Sequence, residues 1–263
     1  MIGRYLHLFW VQVRASLVTA MQYRVDFIVS GLISVWWMVW TLVPLLVVYR
    51  GRTSVASWTL PEALLVVAWF TMLRGVLEGV INPSLTEVGE RIRTGTLDFV
   101  LVKPADAQFL ISTAKFAPFK IVDVMAGGVV AGIAFHRLGR LPAPGDVGVA
   151  LLLFMAALLV LYSIWILVVC WSFWVVRLDN LSYLFTAIFD AARWPIDVFR
   201  GAWRLIFTFV LPLALMTTYP ARALLGTMDA RTALAALGGS IGFAVLARLV
   251  WRRALAHYTS ASS

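Results

Sequence analysis

The sequence predicts an all-α integral membrane protein with six transmembrane helices, and three observations predict it. Of its 263 residues, 62% are hydrophobic and 13% charged, with a mean hydropathy of +0.89; a soluble domain of this length is far more polar. The apolar residues are gathered into runs of about 20 or more, the length a bilayer requires of a helix. The basic residues behind the net charge of +9 sit at the ends of these runs and form no single stripe. That is the pattern of positive-inside topology, and it excludes nucleic acid as the expected partner.

At the N-terminus Leu6, Phe9, Val13, Leu17 and Met21 mark one helical face while Arg4, His7 and Arg14 mark another. Residues 1–25 are therefore expected to form an amphipathic helix lying in the cytoplasmic interface. They lack the apolar core and small-residue cleavage site of a signal peptide, so the segment is expected to be retained. The first span is Phe27 to Tyr49, with Trp36, Trp37 and Trp40 along it and Arg50-Gly51-Arg52 ending it outside. Thr59 and Glu62 form a capping box around Pro61 and launch the second span, Ala63 to Asn82, back to the cytoplasm. Within that span Arg74 and Glu78 share a helix face and can neutralise each other, and Gly75 and Gly79 offer a close-packing step. With Asn82 they are either polar points on a transport path or a pair buried within the bundle.

Residues 83–106 form the densest charged patch in the chain, and a polar insert between spans lies outside the bilayer. Pro83 opens it, Ser84 and Glu87 can make a capping box, and Gly95 can stop the helix, which gives a separate short helix from Leu85 to Thr94. Leu85, Val88 and Ile92 recur on one face; Glu87 and Arg91 pair on another, and Glu90, Arg93 and Asp98 add further charge. Such a helix either rests on headgroups or docks a soluble partner.

The third span, Phe116 to Phe135, begins among Lys115, Pro118, Lys120 and Asp123, its lysines snorkelling to the inner interface; Gly128 and Gly132 give it a packing face. His136 to Gly145 is an outer loop, Val147 to Val176 a tilted fourth span, and Arg177 to Asn180 the turn at its inner end. From Leu181 to Gly226 two arrangements fit. Asp190, Arg193, Asp197, Arg200 and Arg204 would run down one helical face, but Pro195 breaks or kinks that helix. Either Leu181 to Trp194 is interfacial and Leu205 to Tyr219 is the fifth span, or the fifth span comes first and residues 195–226 dip back from outside. Counting positive charge favours the first. The last span is Ala233 to Trp251, and Arg248, Arg252 and Arg253 fix its end inside, so both termini are expected in the cytoplasm.

Lys103, Lys115 and Lys120 follow Val, Ala and Phe, so the chain holds no Gly-Lys pair of a phosphate-binding loop. Gly238-Gly239-Ser240-Ile241-Gly242 matches the nucleophile-elbow pattern but lies inside a span, where a helix contact accounts for it. His7, His136 and His257 show no metal-ligand spacing, and Cys170 is alone. Nothing here argues for an enzyme, and no metal or cofactor is expected on this chain.

Three stretches together resemble a known family: Glu90-Arg91-Ile92-Arg93-Thr94-Gly95-Thr96-Leu97-Asp98 running on to Leu101-Val102-Lys103-Pro104; Pro195-Ile196-Asp197-Val198-Phe199-Arg200-Gly201; and Leu211-Pro212-Leu213 with Tyr219-Pro220 and Leu224-Leu225-Gly226. Their order within six spans is similar to that of the ABC-2 type permeases of bacterial ATP-binding cassette exporters. The resemblance covers nearly the whole chain and implies one transmembrane domain over 1–263 in the bacterial plasma (inner) membrane. It implies that the insert is a coupling helix seated in an ATPase, with Leu85, Glu87, Val88, Glu90, Arg91, Ile92, Arg93 and Asp98 contributing. It places residues 195–226, with Pro195, Asp197, Arg200, Pro212, Tyr219 and Pro220, in an outer re-entrant segment. The implied partners are a dimer of ATPase subunits, which would hold ATP and Mg, and a second permease, identical or paralogous. The implied activity is export of a hydrophobic or amphipathic solute. An ion-coupled secondary carrier would instead need an acidic relay, for which only Glu78 and Asp123 could serve; a non-transport membrane scaffold is the remaining alternative.

Overall fold

A computed structural model describes residues 2–22, 24–173 and 179–258. Helix α1 (Ile2–Gln22) is followed by α2 (Arg24–Val48) and a small antiparallel hairpin, β1 (Ser54–Val55) and β2 (Trp58–Thr59). Thr59 donates its N–H and its hydroxyl to Glu62 at 2.8 Å each, the expected capping box, and α3 (Leu60–Val76) starts there. Next come α4 (Asn82–Arg93), α5 (Asp98–Leu101), α6 (Ala107–Ser112), α7 (Ile121–Leu138) and α8 (Pro144–Cys170). The chain closes with α9 (Asp179–Phe189), α10 (Ala202–Leu205), α11 (Tyr219–Leu224) and α12 (Ala230–Ala256).

Among the described residues, five helical stretches are long and apolar enough to cross a membrane: Phe27–Val48, Leu60–Arg93, Pro118–Leu138, Pro144–Phe173 and Ala230–Ala256. A sixth exists if Ala202–Val210 and Ala214–Leu224, which meet at 71°, count as one broken span. Helix α9, an expected fifth span in one arrangement, has 11 residues, about 16 Å of helix, and is too short to cross alone. The turn expected at Arg177 to Asn180 lies partly outside the described residues.

Helix α3 packs along α7, and α8 along α12 and α11. Almost every residue from Ala63 to Phe70 is buried, so the start of α3 is the centre of the bundle. Helix α2 is the opposite case: only 11% of its span window is buried, and Ile28, Leu32, Trp36 and Trp40 are exposed. That much uncovered apolar surface is stable where lipid or another membrane subunit covers it.

The second span does not end at Pro83. Helix α3 passes through one wide turn, Leu77–Ile81, into α4, and the rod from Leu60 to Arg93 is 34 residues long, about 50 Å. Pro83 removes the N–H that would bond the Gly79 carbonyl; Ala117 N–H fills that place from a neighbouring segment at 2.8 Å. Ser84 is consequently no cap. Its hydroxyl donates to the Lys115 carbonyl (2.7 Å) and accepts from the Lys115 N–H (3.0 Å). Gly95 does end the helix, in the left-handed conformation at φ 72°.

The ladder from Asp190 to Arg204 is not one helical face either. A tight turn (Asp190–Arg193), extended Trp194 and Phe199, and Gly201 at φ 57° interrupt it. An added Cβ at Gly128 or Gly132 would meet nothing within 4 Å among the described residues; the close approach on α7 is made by Gly127, where an added Cβ would sit 2.7 Å from the Ala68 carbonyl oxygen.

Candidate functional site

The two ends of the rod identify the two ends of the bundle. At the Arg93 end lie α4, α5 and α6, with α1 across them: Tyr5 packs edge-on against Phe109 and Phe9 against Phe116, with ring centroids 4.9 and 5.6 Å apart. Ser16 Oγ accepts the Phe116 N–H at 3.1 Å. At the Leu60 end lie the hairpin, the α7–α8 loop and residues 195–226. Trp58 Nε1 donates to Asp197 at 2.9 Å and Arg140 donates to the Leu225 carbonyl at 3.2 Å. Arg200 and Arg204 sit with the hairpin, at the end opposite α4.

Between these ends Arg74 and Glu78 pair at 2.8 Å, as their spacing predicts. Three more charges join them. Lys120, at the foot of α7, contacts Glu78 and lies 3.3 Å from Asp123, while Arg74 reaches Asp190 at 3.8 Å. Gly75 and Gly79 let α7 come this close, since an added Cβ would lie 2.9 Å from Val124 Cγ2 at the first and from Lys120 Cβ at the second. Ser34 of α2 accepts a hydrogen bond from Lys120 Nζ at 3.3 Å. A single charge in hydrocarbon is expensive, and a mutually neutralising group makes it bearable. Arg74, Glu78, Lys120 and Asp123, with Trp37, Phe70 and Phe119, line a cavity of about 290 Å³ between α2, α3 and α7. Its lining mixes apolar and aromatic side chains with charged and hydroxyl groups. Asn82 takes no part in the lining.

Sequence spacing found Arg74 and Glu78 but missed the roles of Lys120, Asp123 and Asp190. They are 42 to 116 residues away from Arg74 or Glu78 along the chain, and no local period connects them.

Of the expected coupling residues, Leu85 and Val88 are buried within the chain and Ile92 packs on the same core, against α6 and α8. The charged side stays outward: Glu87 pairs with Arg91 (3.2 Å) and with Lys115 (2.9 Å), and the exposed Glu90 and Arg93 approach to 3.8 Å. Asp98 opens α5 half-buried. Sequence reading overlooked the apolar residues beside this ridge, Phe99 and Val102, which are 71% and 79% exposed. They are the uncovered apolar surface of the insert.

At the other end Pro195, Pro212 and Pro220 are buried, and Tyr219 is half-buried. Asp197 is the hub there, accepting from Trp58, Arg204 (3.0 Å) and Arg222 (2.6 Å). Ile196 N–H donates to Thr218 Oγ1 (3.0 Å) and Thr217 Oγ1 to the Ala192 carbonyl (2.7 Å), which stitch the two arms of this segment together. Among the described residues no group of three or more His, Cys, Asp and Glu side chains could hold a metal ion.

The model of the ABC-2 family transporter proteins matches residues 35–262, most of the chain including the insert, the charged cavity and the bent segment. The chain belongs to that family and is a multi-pass membrane protein of the ABC-2 permease type. No curated protein and no solved structure matches it.

Proposed function

We propose that this chain is the permease subunit of an ATP-binding cassette exporter, moving a hydrophobic or amphipathic solute with energy from ATP hydrolysed on a separate ATPase dimer. It pairs with a second permease, identical or paralogous, in a bacterial inner membrane with both termini in the cytoplasm. The observation that carries the reading is the unbroken rod from Leu60 to Arg93. It joins an exposed charged and apolar surface outside the bilayer to the charged cavity inside it.

The ATPase pair, holding ATP and Mg, closes and displaces α4 and α5. Because α4 and α3 are one rod, the displacement reaches Glu78 and Arg74 without a flexible joint. Three bonded points, Ser84 to Lys115, Glu87 to Lys115 and Gly79 to Ala117, pass it to the segment leading into α7. Relative movement of α3 and α7 re-forms the Lys120 contacts and opens the cavity to one side or the other. Phe99 and Val102 anchor the docking apolar surface, and Glu90, Arg91 and Arg93 set its register by rim charge.

Co-purification with ATPase subunits under mild detergent, identified by mass spectrometry, tests the partnership. Sign reversal of Glu90 and Arg91 together with Phe99→Ser is expected to lower ATPase recovery at least about tenfold while membrane insertion is unchanged. Full recovery and full transport by that variant would remove the coupling reading.

A further inference from the structure

We propose that the end of the bundle opposite α4 holds a binding site for an oxyanion head group, phosphate in the first instance, formed by Arg200, Arg204 and Arg222. These three arginines, with Trp58, Asp197 and Glu62, line most of a cavity of about 580 Å³ between the hairpin and the bent segment. Three guanidinium groups face two carboxylates, and both carboxylates are already engaged. Asp197 accepts from Trp58, Arg204 and Arg222, and Glu62 accepts both donors of Thr59. Each guanidinium carries five N–H donors, roughly fifteen in all, and hydrogen bonds to Asp197 occupy one on Arg204 and one on Arg222. Arg200 is exposed and makes no bond within the described residues. The site therefore has donors and positive charge to spare, in a geometry that suits phosphate, since planar guanidinium forks bind its oxygens in pairs.

The site is also braced before any ligand arrives. Asp197 holds Arg204 and Arg222 side by side, and the Arg222 guanidinium lies 5.8 Å from the Trp58 ring centroid. Location gives a separate argument. With the α4 end in the cytoplasm, as the proposed function has it, these arginines lie on the far side, joined by Arg50, Arg52 and Arg140 of the neighbouring loops and by Arg137 in the last turn of α7. Positive-inside bias opposes such a concentration there, and an anionic occupant compensates it. The cavity and its charge do not depend on that orientation.

Two sources supply the same chemistry: the head of an anionic amphiphile, whether bilayer lipid or exported solute, and a soluble anion. The test uses the purified full chain without ATPase, in zwitterionic nanodiscs. It measures binding of dihexanoyl phosphatidylglycerol, dihexanoyl phosphatidylcholine and inorganic phosphate. The anionic lipid is expected to bind about tenfold tighter than the zwitterionic one, with R200Q losing most of that preference, R200Q/R204Q losing all of it, and K103Q at the opposite end losing none. Phosphate binding with the same arginine dependence assigns the site to soluble anions; binding by the lipid alone assigns it to an amphiphile. Equal binding of the two lipids, or a preference that survives R200Q/R204Q, overturns the proposal. Because no ATPase is present, either result leaves the coupling reading untouched, and loss of coupling would leave this site untouched.

Discussion

Pro83 and Pro212 occupy the same local arrangement and meet opposite fates. Each follows a five-residue wide turn by two positions, Leu77–Ile81 and Ile206–Val210, and in each turn the closing N–H bonds five residues back, Asn82 to Leu77 and Leu211 to Ile206. Sterics push the residue before a proline out of the helical region. Asn82 nevertheless stays helical at φ −57°, ψ −48°, whereas Leu211 leaves it at φ −119°, ψ 82°. The rod through Pro83 runs on straight enough to be one span; the helix at Pro212 turns by 71°. The difference lies in what surrounds the proline. Around Pro83 the freed Gly79 carbonyl takes the Ala117 N–H, and Gly79, Ile81, Ser84 and Leu85 are buried. Before Pro212, Phe209 and Val210 are exposed and Thr208 is only half-buried, so this turn has much less packing around it than the one before Pro83. A proline breaks a helix when its neighbours do not replace the lost bond.

The largest expected effect comes from removing the support at the first proline. In Gly79→Val the new Cβ would stand 2.9 Å from Lys120 Cβ, so α7 must back away and the Ala117 bond to the rod is lost with it. A loss of about 3 kcal/mol is expected, at the upper end for overpacking, read as a lowered thermal midpoint of the purified chain. Gly201 at the bend is kept for its conformation instead: φ is 57° and nothing lies within 4 Å of an added Cβ. Gly201→Ala should therefore cost only about 1 to 2 kcal/mol. Equal losses in the two variants would mean that space is not what distinguishes the regions.

The prolines themselves should behave unequally. Pro83→Ala restores an N–H at a place where tertiary contacts already hold the helix, and its effect is expected within about 1 kcal/mol. Pro212→Ala releases Leu211 to the helical region and lets the two arms open. Spin labels at 203 and 224 should move apart in that variant, measured by double electron–electron resonance, and an unchanged distance would show that the bend is fixed by Asp197 and Thr218 and not by the proline.

The same contrast explains what could be read from the sequence. The spans, the Thr59–Glu62 box, the Arg74–Glu78 pair and the stop at Gly95 follow from local spacing, because each involves residues within four positions of one another or a composition run. Pro83 was misleading since local sterics count the N–H it lacks, while the replacement donor, Ala117, is 34 residues downstream. The charged cavity was half visible for the same reason: Arg74 and Glu78 share a helix, and Lys120, Asp123 and Asp190 arrive by tertiary packing. For Arg193, Arg200 and Arg204, charge counting favours the cytoplasmic side and the family resemblance the opposite one. The Trp58 bond to Asp197 and the Arg222 guanidinium over the Trp58 ring tie the bent segment to the hairpin, and no statistical rule about charge contains such contacts.

The smallest expected effect lies at the α4 end, where α12 is tied to the insert by Asp106. Its carboxylate takes the Arg248 guanidinium at 2.5 and 3.2 Å and caps α6 by accepting the Phe109 N–H at 3.0 Å. The Arg248 hydrogen bonds hold Asp106 below the usual carboxylate range; burial opposes them, and the backbone N–H groups and the Arg248 charge add smaller lowering contributions. A depressed folded-state value contributes stability that is present above the unfolded value, about pH 4, and is lost as pH falls through the folded one. Asp106→Asn keeps a capping side chain and removes only the charge. Both partners are more than a third exposed, so solvent screening limits the loss at pH 7 to about 1 kcal/mol or less. The stability gap between wild type and variant should be present at pH 7, narrow below pH 4 and shrink in high salt at neutral pH. A gap independent of pH from 7 down to 3 would show that the contact works through shape and hydrogen bonding alone, and that the α4 end does not owe its tie to α12 to charge.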